Sequence, residues 1–291
     1  MTFPANSLNT FKTPFTQFGD WASFVDACIA HPSTQQSSRR ADYYSSNPWA
    51  GTSTWDEAVK CAQYGNSSTT KALQVIVDRM TSLMAPAEVP EMYLDVTTDY
   101  GWDMGTAITG NPQCGINFQQ VAGETRKQVQ LTLSGNNLAY VDPNQMFYRG
   151  TLAYCLYLTL LQHGYDVSID LVFCNICNTG QNGSTTIMHS TCVNLVRPGE
   201  ILDLAVIAYA CTSPSVFRRL YFSFMETCWD AASRRQFSIG SGYGRTVDAP
   251  AHLQGDIYLG PSVVGNLRSD ADYLNLIAHA ERLIAEFQAR A

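Results

Sequence analysis

Pairs of arginines beside aromatic residues are the feature of this sequence that most suggests chemistry. Three clusters occur, and each places two consecutive Arg residues shortly before one or more aromatic rings. Guanidinium groups bind phosphates through paired hydrogen bonds, and nucleic-acid bases stack on aromatic rings for roughly 1 to 3 kcal/mol each. We therefore predict a surface that binds single-stranded DNA, and its contact residues are Arg39, Arg40, Tyr43, Tyr44, Arg218, Arg219, Tyr221, Arg234, Arg235, Phe237, Tyr243 and Arg245.

Charge is segregated along the chain, which favours a local basic surface on an acidic protein. The formal net charge is −7, so electrostatic coating of duplex DNA is not expected. From residue 197 to residue 245, six Arg residues stand against four acidic residues, a net charge of +2. The alternative interpretation is that the rings of each cluster are core residues that lie beside surface arginines.

A second candidate for chemistry is a set of four potential zinc ligands. Cys174 and Cys177 precede His189 and Cys192 with a spacing close to that of small zinc modules. Both pairs fall in predicted strands, where residues three apart point to opposite faces of the sheet. We therefore favour buried cysteines and predict no cofactor, although the spacing leaves zinc open as an alternative.

The remaining catalytic patterns are weak. Asp95, Asp99 and Asp103 would form a metal-binding stripe on a helix, but Gly101, Gly105 and the Thr97-Thr98 pair favour a loop at a strand end. The sequence has no Gly-x-Ser-x-Gly elbow, and its five His residues share no motif. We therefore predict that the protein is not an enzyme.

The elements that must position these side chains are organised around residues 127–174. Apolar and polar residues alternate from 128 to 134 and again from 167 to 173, which is typical of two half-buried strands. Between them, Asp142 and Pro143 are suited to the N-cap and first position of a long apolar helix. Strand, helix and strand in this order predict a parallel pair with a right-handed crossover.

The other elements predict an α/β protein with a mixed sheet and helices on its faces. A hairpin is expected from 168–177 and 185–196, because Asn182-Gly183 favours a tight turn. Ser269 and Asp272 form a capping box before an amphipathic C-terminal helix, which would dock on the core or on a second copy. The predicted organisation is an irregular and helical N-terminal region over 1–110, an α/β core over 111–265 and the C-terminal helix over 266–291.

Composition places the chain among globular proteins. Of its 291 residues, 45% are hydrophobic and 15% are charged, which argues against disorder. The nine Cys residues lack the spacing of a disulfide framework, and the N-terminus lacks a signal peptide. No stretch has the apolar length of a membrane span. We therefore expect a soluble protein of a reducing cytoplasm.

Three resemblances extend this interpretation. Residues 49–65 and 149–167, with 94–114 between them, resemble a family of bacteriophage-encoded proteins without an assigned activity. The central unit also resembles a von Willebrand A-type sheet, whose metal motif is Asp-x-Ser-x-Ser. Residues 131–135 read Leu-Thr-Leu-Ser-Gly at that place, so A-type metal binding is not implied. In size, acidity and Arg-aromatic content, the sequence is loosely similar to single-stranded-DNA-binding cofactors of phage RNA polymerases.

Two hypotheses follow. The polymerase-cofactor resemblance implies single-stranded DNA and a phage RNA polymerase as partners, in the cytoplasm of the infected bacterial host. The alternative is a non-enzymatic protein–protein adaptor with a degenerate A-type sheet, which would bind its partner through the C-terminal helix or the edge of the sheet. Homo-oligomerisation is compatible with both hypotheses.

Overall fold

A computed structural model shows two compact units, Met1–Leu83 with Gln128–Ala291 and Met84–Lys127. The structure describes residues 15–30, 48–83, 92–95, 101–102, 108–109, 112–113, 115–118, 127–137, 141–179, 185–198, 203–227 and 245–290.

The larger unit is built on a mixed sheet, which confirms the predicted α/β class. Its described strands are β1 (Phe15–Phe18), β5 (Gln128–Ser134), β6 (Asp166–Thr179), β7 (Thr185–Val196), β8 (Arg245–Thr246) and β9 (Ile257–Leu259). Their order is β1-β7-β6-β5-β9, and β8 pairs with β6. β5 runs parallel to β6 and β9, whereas β6 and β7 form the predicted antiparallel hairpin.

Helices cover one face of this sheet. They are α1 (Trp21–Ile29), α2 (Trp55–Tyr64), α3 (Ser67–Leu83), α4 (Pro143–Gln162), α5 (Leu204–Thr212), a π-helix (Val216–Tyr221), α6 (Phe222–Thr227) and α7 (Asp270–Gln288). α4 is the predicted crossover helix: Asp142 accepts a hydrogen bond from the backbone N–H of Asn144 at 2.8 Å, and Pro143 is its first residue. None of the helices in the described ranges is long and apolar enough to cross a membrane.

The two faces of the sheet have different covers. On the helical face, the Phe173 ring of β6 stacks on Tyr221 of the π-helix, with the ring centroids 4.2 Å apart. On the opposite face, Val172 and Cys174 pack with Val247 and Ala249, which follow β8. Side chains that alternate along β6 therefore enter two separate apolar layers.

The N-terminal region contributes a strand to the sheet, which the sequence did not reveal. β1 is at the end of the strand order and pairs in parallel with β7. α1 follows it, and Asp20 caps this helix by accepting a hydrogen bond from the backbone N–H of Ser23. In sequence, β1 is only four residues long, and so short an alternation carries little signal.

The smaller unit contains a three-stranded antiparallel sheet in its described part. The strands β2 (Met92–Asp95), β3 (Gly101–Trp102) and β4 (Gly115–Phe118) are arranged in the order β2-β4-β3. Asp95 is the last residue of β2 and lies opposite Gly115, so it stands at a strand end. Asp99 and Asp103 lie outside the described residues.

Candidate functional site

The second arginine pair lies inside the protein, which makes the DNA prediction wrong for that cluster. Arg218 and Arg219 are each only 1% exposed on the π-helix, and Tyr221 is fully buried. A ring in the core has no face on which a base could stack, and a buried guanidinium cannot follow a phosphate chain. The alternative interpretation, in which the aromatic rings are core residues, holds for this cluster. Its arginines are buried as well, although that interpretation placed them on the surface.

These two arginines hold a preceding segment of the chain by its backbone. Arg218 donates from Nη1 to the Trp49 carbonyl at 2.7 Å and from Nη2 to the Val141 carbonyl at 2.8 Å. Arg219 donates from Nη2 to the carbonyls of Thr52 and Ser53, at 2.9 and 3.2 Å. Burial lowers the pKa of Arg218 to about 10, so the guanidinium keeps its charge at neutral pH. The pair therefore fixes residues 49–53 against the π-helix.

The rest of the predicted DNA contacts fall where the structure gives no side chain. Eight lie outside the described residues: Arg39, Arg40, Tyr43, Tyr44, Arg234, Arg235, Phe237 and Tyr243. The backbone of Arg245 belongs to β8 and pairs with Ile176. For these nine residues, single-stranded DNA binding stays a prediction.

The potential zinc ligands do not converge. Cys174 and Cys192 are buried together on one face of the sheet. His189 is the cross-strand partner of Asn175, and the Asn175 side chain bonds to Tyr221, so this pair belongs to the other, helical face. Burial raises the pKa of the Cys174 and Cys192 thiols to about 11 and 12. The backbone of Cys177 pairs with Ile187. The described side chains confirm buried cysteines, and no described group of three His, Cys, Asp or Glu residues is arranged to hold a metal ion.

At the carboxyl end of β5, where the A-type metal motif would lie, the Asn136 side chain bonds to the neighbouring strand β6. The Asn136 side chain bonds to both backbone groups of Cys174: its Oδ1 accepts from the N–H at 3.0 Å and its Nδ2 donates to the carbonyl. Nδ2 also donates to Oδ1 of Asn175 at 2.7 Å. This amide therefore connects the end of β5 to β6 and takes the place of a metal-binding side chain.

The candidate functional site is instead a groove beside the C-terminal helix. It has a volume of about 350 Å³ and lies between α3, the start of α4, the loop before α7 and the first turn of α7. We call it the α3–α7 groove, and its lining residues are Ala72, Val75, Ile76, Asn144, Phe147, Asn266, Leu267, Arg268 and Tyr273.

The α3–α7 groove combines an apolar floor with an exposed apolar rim. Ile76 is buried, and Phe147 and Tyr273 are half-buried. Val75 is 64% exposed at the rim, although its chain neighbours Leu73 and Ile76 are buried in the core. Such a concave apolar surface suits an apolar side chain better than an ion or a strongly polar ligand.

The wall formed by the loop before α7 is held by its own contacts. Oδ2 of Asp272 accepts hydrogen bonds from the backbone N–H groups of Arg268 and Ser269, both at 3.0 Å, and these bonds hold the Asp272 pKa below its usual value. A Cβ atom at Gly265 would lie 2.4 Å from the Tyr148 ring, so this loop is pressed against α4. The groove is therefore preformed, which limits the ordering cost of binding.

Sequence reasoning identified α7 as a docking element but missed the groove. The predicted capping box is present, with Ser269 and Asp272 in the expected roles. The signal that was available is Val75, an apolar residue that lies outside the buried face of α3. One such residue is common on protein surfaces, so its meaning depends on the walls that α4 and α7 supply.

Comparison with known proteins gives one match. A family model described as "Domain of unknown function (DUF7192)" matches residues 6–285. No curated protein and no solved structure matches the chain. The bacteriophage origin and the polymerase-cofactor similarity stay predictions.

Proposed function

The chain belongs to the DUF7192 family, and we propose that it is a non-enzymatic adaptor that binds a partner protein in the α3–α7 groove. The observation that carries this proposal is the exposed Val75 side chain at the rim of a preformed apolar groove. The C-terminal helix contributes Tyr273 to the lining of the groove, and the adaptor hypothesis names this helix as one possible contact with the partner.

Two more exposed apolar residues support a protein partner. Leu274 follows the lining residue Tyr273, and Val264 precedes the loop that forms one wall, and both are about half exposed. Single exposed apolar residues are ordinary, but exposed apolar residues close in sequence to the lining of an apolar groove favour an interaction site. An amphipathic helix places apolar residues three and four positions apart, which suits a short groove between helices.

The dimensions also favour one or two side chains of a partner. Ligand pockets for small molecules span roughly 300 to 1,000 Å³ and enclose most of their ligand. The α3–α7 groove is at the lower end of that range, and its rim residues Val75, Asn266 and Arg268 are exposed. A partner surface that covers the rim as well as the floor would bury these groups, whereas a small molecule would leave them in solvent.

The Asn136 bonds at the carboxyl end of β5 support the degenerate A-type part of the proposal. The Asn136 amide is fully engaged with Cys174 and Asn175. Adaptor function through a helix groove needs no metal at that place. The two regions are separate, since none of the groove-lining residues belongs to β5 or β6.

Selection from a displayed library of random 16-residue peptides tests the proposal. We expect enriched peptides to carry apolar residues with helical spacing and to bind the purified chain. Val75→Asp should weaken their binding by roughly tenfold or more, because a charge on the rim would have to be desolvated. Leu204→Asp is the matched control, because Leu204 is an exposed apolar residue on α5 that does not line the groove.

Two results would overturn the proposal. One is a selection that enriches no peptide, and the other is a set of peptides that bind the Val75→Asp and wild-type chains equally. Titration of labelled oligo-dT against the same protein examines the competing partner. Tight binding that weakens steeply with salt would favour the DNA hypothesis over the adaptor.

A further inference from the structure

One buried guanidinium has, within the described part of the chain, a backbone carbonyl as its hydrogen-bond partner. Arg149, on the second turn of α4, is 3% exposed. Its Nη2 donates to the Asn136 carbonyl at 3.1 Å, and among the described residues no carboxylate forms an ion pair with it. Burial lowers the pKa of Arg149 to about 10, and the nearby Tyr258 phenol opposes this shift. The side chain is therefore still a cation at neutral pH.

A buried cation without an anion is an unusual arrangement. Desolvation of an unpaired charge costs several kcal/mol, and buried charges in proteins are normally paired. A guanidinium has five N–H donors in a planar fork that matches the oxygens of a carboxylate or a phosphate. One carbonyl uses only one of these donors. Arg149 is thus suited to a second, anionic partner.

A second donor, which directly follows Asn136 in the chain, has no acceptor among the described residues. Nδ2 of Asn137 is buried, the residue is only 1% exposed, and the atom has no hydrogen-bond partner in the described part of the chain. Asn137 directly follows Asn136, the residue that Arg149 holds. Leaving a buried amide donor unsatisfied costs about 1 to 3 kcal/mol, so an unfilled acceptor position is expected beside it.

The fold puts these donors where α/β proteins bind ligands. β5 is parallel to its two neighbours, β6 and β9, and Asn136 and Asn137 follow its carboxyl end. Ligands of open α/β sheets bind outside the carboxyl ends of such strands. Tyr258 belongs to β9, and its hydroxyl accepts from the Ala249 N–H at 2.9 Å. The hydroxyl proton can therefore be donated to a bound ligand, in addition to the donors of Arg149 and Asn137.

We propose that the carboxyl end of β5 binds an oxyanion, a phosphate or a carboxylate group, between the Arg149 guanidinium and the Asn137 amide. The oxyanion supplies the missing counter-charge and accepts hydrogen bonds from both side chains. This site shares no residue with the α3–α7 groove, so it stands or falls independently of the adaptor proposal.

The test is a thermal-unfolding titration at constant ionic strength with inorganic phosphate, with acetate in a parallel series. Specific binding raises the melting temperature along a saturable curve, whereas salt exclusion gives an unsaturated rise in every variant. Arg149→Met should raise the Kd for the anion by roughly tenfold or more, because charge-assisted hydrogen bonds are lost. Arg282→Met removes one exposed charge and should leave the Kd unchanged.

Asn137→Asp keeps the test decisive if Arg149→Met does not fold. This near-isosteric change puts a carboxylate in the proposed site, so anion binding should disappear while the protein stays folded. Saturable stabilisation by phosphate alone or by acetate alone identifies which oxyanion the site takes. The absence of saturation in wild type with both anions, or an equal Kd in the Asn137→Asp and wild-type chains, would overturn the proposal.

Discussion

The guanidinium of Arg218 lies 4.7 Å from the centroid of the Trp49 ring and also donates to the Trp49 backbone carbonyl at 2.7 Å. These two residues are separated by 169 positions in the sequence. One side chain thus holds both the ring and the backbone of the segment that precedes α2. Because the guanidinium is buried, the cation–π contact and the hydrogen bond are stronger than they would be in water.

Arg218→Met is therefore expected to lower the free energy of unfolding by about 2 to 4 kcal/mol. The substitution keeps most of the apolar stem, but it leaves the carbonyls of Trp49 and Val141 without their donor. Urea unfolding followed by tryptophan fluorescence measures the change. Arg282→Met is the matched control: Arg282 is 64% exposed beside Glu286, and its loss should cost less than about 1 kcal/mol. Equal losses for the two variants would mean that Arg218 is not a structural anchor.

The sequence predicted the central unit of the fold correctly because its signals are local. The alternation over 128–134 and the Asp142-Pro143 start of α4 depend only on neighbouring residues, and both are present in the structure. The Asn182-Gly183 step likewise predicted the antiparallel pairing of β6 with β7. The same holds for the capping box of Ser269 and Asp272.

The sequence failed where the decisive partner is distant. Arg218 and Arg219 look like surface residues, since charged side chains are rarely buried, and their acceptors lie between 77 and 169 positions away. The α3–α7 groove is likewise formed by three separate parts of the chain, so no local pattern encodes it. Local physics predicts elements, whereas burial and concavity arise only when the elements pack.

The capping box at the start of α7 should stabilise the wall of the groove. Ser269→Ala removes the hydroxyl that accepts from the Asp272 N–H and donates to the Asp272 carboxylate. We expect a loss of about 1 kcal/mol in the free energy of unfolding, measured with urea. Ser269→Thr, which keeps a hydroxyl that can accept from the Asp272 N–H and donate to its carboxylate, should retain most of the stability. If both variants lose the same amount, the cap contributes nothing.

Burial of His189 should make the protein sensitive to mild acid. Burial lowers the His189 pKa to about 3, below the usual 6.5, so the unfolded chain takes up this proton first. Stability contributed by the neutral ring is complete above pH 6.5 and decreases as the pH falls from 6.5 towards 3. At pH 5, this residue is expected to lower the free energy of unfolding by roughly 2 kcal/mol relative to pH 7.

His189→Gln removes the titrating group. The free energy of unfolding should then decrease less between pH 7 and pH 5, by roughly 2 kcal/mol, than it does in wild type. Urea unfolding at the two pH values measures it, and His252→Gln serves as the control because His252 is exposed. A drop that is the same in His189→Gln and in wild type would show that His189 is not the group responsible.

Two glycines with a similar positive φ differ in what surrounds them. Gly65 (φ +75°) ends α2, and Gly164 (φ +79°) follows α4. A Cβ atom at Gly65 would lie 2.3 Å from Cβ of Ala205 on α5, whereas a Cβ at Gly164 would have no atom within 4 Å. Both Ala variants carry backbone strain from a positive φ, which is larger at Gly65 because its ψ of 176° lies in a region essentially restricted to Gly, and only Gly65→Ala also pushes α2 away from α5. We expect Gly164→Ala to cost about 1 kcal/mol and Gly65→Ala about 3 kcal/mol or more in urea unfolding. Equal costs would mean that the close approach of α2 and α5 does not limit residue 65.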